Sequence, residues 1–78
     1  MKAPAELTAR FTLTAREAEA ALLLAQGLTD AAIAQRLAIS THTARRYSER
    51  VLRKLGLHSR SAVAITLLRP TDERADPA

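Results

Sequence analysis

The 78-residue sequence predicts a single all-α domain of four helices. Apolar residues recur at intervals of three and four through most of the chain, which is the spacing of one face of a helix. Residues that favour helix N-caps stand before each of these stretches, and glycine or proline follows three of them. Valine, isoleucine and aromatic residues are too few and too scattered to predict a sheet.

The first two predicted helices are delimited by cap residues. The first covers residues 15–26: Thr14 is its N-cap, Glu17 completes a capping box, and Gly27 ends it. The second covers residues 30–37 and begins directly after a threonine that can act as its N-cap.

The third predicted helix covers residues 41–55, between the N-cap Ser40 and the stop signal Gly56. In the turn before it, Ala38 stands where glycine is usual, because the chain bends sharply there. Two possibilities therefore stay open: Ala38 is strained, or the turn tolerates a right-handed conformation at this residue. The fourth predicted helix runs from residue 60 to about residue 69, where a proline prevents its continuation.

These helices form one domain, expected at residues 11–69. We expect residues 1–10 to be a flexible lead and residues 70–78 to be a disordered tail. The chain has no cysteine and its two histidines lie on different elements, so we predict no metal site and no cofactor. It has neither an apolar run that could cross a membrane nor a signal peptide, and a cytoplasmic location follows.

The net charge of +4 lies entirely in the third predicted helix. Residues 41–55 carry five basic side chains and one acidic side chain, whereas the other 63 residues carry seven of each. A neutral scaffold that displays one basic helix is suited to binding a polyanion.

The third predicted helix has two distinct faces. Its core face is formed by Ala44, Ser48, Val51, Leu52 and Leu55. Its solvated face carries His42, Arg45, Arg46, Glu49 and Arg53, with Tyr47 and Arg50 on the flanks. A short helix, a tight turn and a basic helix in this order predict a helix-turn-helix whose second helix enters the major groove of DNA.

The N-terminal part of such a helix reaches base edges. Arg45 and Arg46 are the candidate base readers, because arginine bidentate to guanine is the commonest specific contact. Glu49 either accepts from a cytosine amino group or holds a neighbouring arginine in an ion pair, and both interpretations stay open. The candidate contacts to the DNA backbone are Ser40, Thr41, Thr43, Tyr47 and Arg53. Tyr47 is equally compatible with packing in the core.

Four motifs give the chain a family resemblance. They are LTAREAEAALLLAQGLT at residues 13–29, IAQRL at 33–37, IS with TAR at 39–45, and LRKLGLHSR at 52–60. Together they resemble the LuxR-type DNA-binding domain of bacterial transcription regulators. The resemblance implies a four-helix domain that binds paired half-sites as a dimer, with Lys54 at a position that contacts the DNA backbone.

This sequence departs from the family pattern at the predicted DNA-facing surface. Arg46 and Tyr47 replace a small residue and a histidine, and Glu49 replaces a basic or polar residue. The operators of other members therefore do not transfer to this chain. The resemblance also implies dimer contact through the fourth helix, whose outward positions are Ala62, Ile65, Thr66 and Arg69. A dimer through so small a strip is expected to be weak.

The sequence therefore predicts a sequence-specific DNA-binding transcription regulator, either a stand-alone protein or the output domain of a longer one. Its predicted partners are double-stranded DNA and a second copy of the chain, with RNA polymerase as a further candidate. Two alternatives remain open: a sigma region-4-like module that docks on polymerase, and a protein-interaction domain with a basic helix. No nucleophile–base pair or carboxylate dyad indicates an enzyme.

Overall fold

The computed structural model describes residues 5–68 and confirms the all-α prediction. Its helices are α1 (Ala5–Phe11), α2 (Ala15–Ala25), α3 (Asp30–Leu37), α4 (Thr41–Leu55) and α5 (Ala62–Leu68). No strand forms among these residues. The predictions for Arg69 and for the tail at residues 70–78 lie outside the described residues, as does the start of the predicted lead at residues 1–4.

The N-terminal segment departs from the prediction, because residues 5–11 form α1 and bring the helices to five. Leu7 is buried and Phe11 packs against the core from the same face, so α1 is held by its contact with α2. The helix ends in a left-handed residue, Thr12, and the N–H of Leu13 donates to Thr8 O at 3.0 Å. A helix this short has little stability of its own. Its two apolar residues form too short a pattern to predict a helix from the sequence.

The caps predicted for α2 and α3 are confirmed. The N–H of Glu17 donates to Thr14 Oγ1 at 3.1 Å, and the N–H of Thr14 donates to Glu17 Oε1 at 2.9 Å, which completes the capping box. Gly27 follows α2 with φ of 86°. Thr29 caps α3 by accepting from the N–H of Ala32 at 3.2 Å.

The fourth predicted helix, α5 in the structure, begins two residues later than expected. The hydroxyl of Ser59 accepts from the N–H of Ser61 at 3.2 Å, so this side chain closes a turn instead of capping the helix. The N–H groups of Ala62 and Val63 then donate to Ser59 O and Arg60 O. These tight turns fill the interval between residues 59 and 62.

Helix α2 lies at the centre of the domain and contacts every other helix. The buried apolar side chains are Leu7, Leu13, Ala18, Ala20, Ala21, Leu23, Leu24, Ile33, Ala34, Leu37, Ala44, Val51 and Val63. Many of them are alanines, and small side chains let helix backbones approach closely. Close approach matters most between α3 and α4, where Ala34 and Ala44 are both buried.

The turn between α3 and α4 contains a strained residue. Ala38 has φ of 58° and ψ of 47°, the left-handed conformation, so the right-handed alternative is excluded. The N–H of Ile39 donates to Ala34 O at 3.0 Å and closes the end of α3. Gly27 and Gly56 adopt a similar conformation after α2 and α4. A side chain at this position costs about 1–2 kcal/mol relative to a right-handed residue.

We expect Ala38→Gly to raise the free energy of unfolding by up to about 1 kcal/mol, because glycine relieves this strain while adding some entropy to the unfolded chain. Urea denaturation followed by circular dichroism measures the change. Ala31→Gly is the matched control, since Ala31 is also exposed but lies within the right-handed α3. The control is expected to lower stability, and a loss of stability with Ala38→Gly as well would contradict the prediction.

Candidate nucleic-acid interface

The two faces predicted for α4 are confirmed. Ala44, Ser48 and Val51 are buried against α2 and α3, while Leu52 and Leu55 are partly buried at the edge of the core. The exposed side chains are His42, Arg45, Arg46, Glu49, Arg50 and Arg53. The sequence-predicted base readers therefore share one open surface.

The start of α4 is fixed by its own cap. The hydroxyl of Ser40 accepts from the N–H of Thr43 at 3.0 Å and donates to Thr43 Oγ1 at 2.9 Å. Thr41 is exposed beside them. Ser40 and Thr43 therefore have structural roles, and both lie at the exposed N-terminal end of the basic helix.

Three residues, 38–40, join α3 to α4, and the two helices pack against each other. A link of this length between packed helices is the geometry of a helix-turn-helix. Helix α4 is its second helix, the one that enters the major groove in such motifs. The basic surface and the motif thus coincide in one element.

The model of the family "Bacterial regulatory proteins, luxR family" matches residues 11–67, which is most of the chain. The protein belongs to the LuxR family. Its domain is accordingly a DNA-binding helix-turn-helix of a regulatory and non-enzymatic type. Neither a search of curated proteins nor a search of solved structures finds a match. Most of α1 precedes the matched range and adds to the LuxR-type core.

Lys54 makes contacts within the protein that the family resemblance did not imply. Its Nζ donates to Glu17 Oε1 at 2.8 Å and to Thr12 O at 3.0 Å, so the ammonium faces the start of α2. The Glu17 side chain is only 4 % exposed, against 36 % for Lys54. Lys54 therefore holds α4 against α2 and the end of α1.

A second carboxylate ties α4 to the rest of the LuxR-type domain. Asp30 Oδ1 accepts from Ser48 Oγ at 2.8 Å and from Arg60 Nη1 at 2.9 Å. Arg60 also donates to Leu28 O at 3.0 Å. This bridge joins the start of α3, the middle of α4 and the segment before α5. Sequence reasoning missed it, although a serine within the apolar stripe of α4 was a signal that a buried partner was needed.

Both carboxylates are stabilised in their charged form. Desolvation by burial raises the pKa of each, but their hydrogen bonds and neighbouring charges outweigh that effect and lower the pKa below its ordinary value. For Glu17 the main opposing partners are Lys54 and the N–H of Thr14. For Asp30 they are Arg60 and Ser48, with a further contribution from the charge of Arg45.

The arginines on the exposed face of α4 have no ion-pair partner among residues 5–68. Ion pairs elsewhere join Arg16 to Glu19, Lys54 to Glu17, and Arg60 to Asp30. No hydrogen bond or ion pair within the described residues involves the α4 side chains Arg45, Arg46, Glu49, Arg50 and Arg53. The ion-pair interpretation of Glu49 therefore has no support in this geometry.

Three of the four outward positions predicted on the fourth helix lie among the described residues. Ile65 is 65 % exposed and is the large apolar side chain left in solvent among the described residues. Ala62 and Thr66 beside it are partly exposed. Val63 on the same helix is fully buried.

The described residues contain no group of histidine, cysteine and acidic residues that could hold a metal ion. They also contain no helix long and apolar enough to cross a membrane.

We expect Lys54→Met to lower the free energy of unfolding by about 1–3 kcal/mol, because it leaves the buried Glu17 carboxylate without its main partner. Thermal and urea denaturation measure the loss. The neighbouring Arg53 is exposed, so Arg53→Met is the matched control and is expected to change stability by less than about 0.5 kcal/mol. Equal effects of the two variants would remove the structural role assigned to Lys54.

We expect the stability advantage of the wild type over Asp30→Asn to depend on pH. The pKa of Asp30 is lower in the folded state than its ordinary value of 3.8, so the advantage is complete above that value and disappears as pH falls through the folded pKa. Near neutral pH it should amount to about 1–2 kcal/mol. Urea titrations from acid to neutral pH measure it, and a difference that is constant across this range would contradict the assignment.

Proposed function

We propose that the protein is a sequence-specific DNA-binding transcription regulator whose helix α4 enters the major groove. The observation that carries the proposal is the set of four arginines on the exposed face of α4, none of which has an ion-pair partner among residues 5–68. Cations left free on the second helix of a helix-turn-helix are available to phosphates and base edges.

The base-reading part of this surface is the first half of α4. Arg45 and Arg46 lie one turn into the helix, and Glu49 follows one turn later. Since Glu49 has no described ion-pair partner, its carboxylate is free to accept from a cytosine amino group. Helix α4 has 15 residues and is about 22 Å long, and the major groove is wide enough to admit it. We therefore assign base contacts to these three residues.

Contacts to the DNA backbone are proposed around them. Ser40, Thr41 and Thr43 place hydroxyl groups at the start of α4, where the helix dipole also favours a phosphate. Tyr47 and Arg53 supply further donors along the helix. The family resemblance adds Lys54, whose partly exposed ammonium also donates to Glu17 and to Thr12 O.

We further propose that two copies bind paired half-sites through α5. Ile65 offers an apolar contact in solvent, and Ala62 and Thr66 beside it are small enough to allow a second helix to approach. Arg69 completes the proposed strip. The protein would act in the cytoplasm, as a stand-alone regulator or as the output domain of a longer one, with RNA polymerase as a further partner.

The family match favours this function over the two alternatives raised by the sequence. It extends from residue 11 to residue 67 and so includes the segment after α4 and most of α5. A sigma-like polymerase module and a basic protein-interaction domain do not require that segment.

Selection from randomised duplex DNA, followed by titration of the selected and a scrambled duplex at about 150 mM salt, tests the proposal. Such ionic strength screens long-range charge beyond about 8 Å, so the remaining preference reports local contacts. Enrichment of a two-fold symmetric site is expected. Binding without any enriched sequence would overturn sequence reading, and an enriched site without symmetry would overturn the dimer.

We expect Arg46→Ala to reduce the preference for the selected duplex over the scrambled one by about 10- to 100-fold, because one bidentate guanine contact supplies about 1–3 kcal/mol of discrimination. Fluorescence anisotropy with both duplexes measures the ratio. Arg36→Ala removes an exposed arginine from α3, away from the α4 face, and serves as the control with an unchanged ratio. An equal loss on both duplexes for Arg46→Ala would assign Arg46 to the backbone instead.

A further inference from the structure

An open concavity of about 250 Å³ lies on one flank of α4 and is lined by Thr43, Arg46, Tyr47 and Arg50. These positions are spaced at three, four and seven residues, so they lie on the same side of the helix. A water molecule occupies about 30 Å³ in the liquid, so the space accommodates a phosphate group together with several waters. The concavity adjoins the base-reading surface, since Arg46 belongs to both.

The lining has the chemistry of an anion site. Two guanidinium groups and two hydroxyl groups can all donate hydrogen bonds, and no carboxylate lines the concavity. The ring of Tyr47 packs against the core, and the residue is partly exposed. This packing fixes the orientation of the ring. The two interpretations of Tyr47 from the sequence are therefore compatible. Its ring packs against the core, and its side chain also borders the concavity.

Arg50 is the cation that the surrounding structure leaves available. Glu17 is close enough for the charge of Arg50 to help lower its pKa. However, the Oε1 of Glu17 already accepts from Lys54 at 2.8 Å and from the N–H of Thr14 at 2.9 Å. No ion pair or hydrogen bond of Arg50 occurs among residues 5–68. On this flank of α4 Lys54 is paired with Glu17, whereas Arg50 has no ion-pair partner among residues 5–68.

We propose that Arg50 anchors a phosphate of the DNA backbone in this concavity, with the hydroxyls of Thr43 and Tyr47 as additional donors. The inference rests on the proposed function, and it adds Arg50 to the proposed contacts with the DNA backbone. A phosphate held on the flank of α4 adds to the affinity for a duplex of any base sequence.

Titration of Arg50→Gln with DNA at several salt concentrations tests whether the charge of Arg50 contributes to DNA binding. The affinity for the selected and the scrambled duplex falls by the same factor, about tenfold near 150 mM salt. The slope of log affinity against log salt becomes shallower by about 0.9, the value for one lost phosphate contact. Arg36→Gln is the matched control and changes neither quantity. Circular dichroism and urea titration verify that both variants fold, as expected for exposed side chains.

A double-mutant cycle with the DNA locates the contact. Neutral methylphosphonates replace the phosphates of the selected duplex one at a time, and each duplex is titrated with the wild type and with Arg50→Gln. At one phosphate per half-site the replacement weakens the wild type about tenfold but has little further effect on the variant, because the contact is already lost. Tyr47→Phe, which keeps the ring, gives a smaller loss that is coupled to the same phosphate.

The outcomes separate this inference from the proposed function. Coupling to one phosphate with an equal loss on both duplexes supports the anchor. A loss confined to the selected duplex would make Arg50 a base reader, and an equal loss without coupling would reduce it to a distant charge; either result overturns the anchor. Failure of the wild type to discriminate between duplexes overturns the proposed sequence reading, while the salt slope of Arg50→Gln still tests the anchor on the scrambled duplex.

Discussion

Two carboxylates hold the recognition helix of this domain in place, and the geometry of the DNA-facing surface depends on them. Glu17 binds Lys54 near the end of α4, and Asp30 binds Ser48 at its middle. Each carboxylate lies in the first turn of its own helix, where the helix dipole stabilises negative charge. The same group therefore completes the start of one helix and fixes the position of another. Arg60 extends the second contact to the segment before α5, so this segment and the recognition helix share Asp30 as a partner.

The same contacts separate the paired charges of the domain from the unpaired arginines of α4. The carboxylates of Glu17 and Asp30 are engaged by Lys54 and Arg60 at the inner side of α4 and beside α3. The arginines at positions 45, 46, 50 and 53 keep their charge on the outer side. The excess positive charge of the sequence is therefore concentrated on one surface in three dimensions. This separation explains how a chain with a net charge of only +4 can present a strongly cationic face.

Much of the fold could be predicted because its determinants are local. Cap residues set the boundaries of α2, α3 and α4 within one or two residues, since each cap satisfies backbone groups of the adjoining turn. The two faces of α4 followed from helical spacing alone. The prediction did not include α1, because this short helix depends on the burial of Leu7 against α2. The sequence analysis predicted the start of α5 two residues too early. The Ser59 hydroxyl accepts from the N–H of Ser61 in a turn, and the sequence pattern does not distinguish such a turn from a helix cap.

The sequence by itself determined helices α2, α3 and α4, the basic face of α4 and the membership of the LuxR family, because these depend on spacing and on residue type along the chain. Only the tertiary structure decided which cations are free. Lys54 and Arg50 are both basic residues of one helix, separated by a single turn, and sequence spacing cannot distinguish their roles. Folding places the Lys54 ammonium against the buried Glu17 carboxylate and leaves the Arg50 guanidinium in solvent beside the Tyr47 concavity. The physical reason is that Lys54 and Glu17 lie on different helices, and only the packing of α4 against α2 brings their charges within reach of each other.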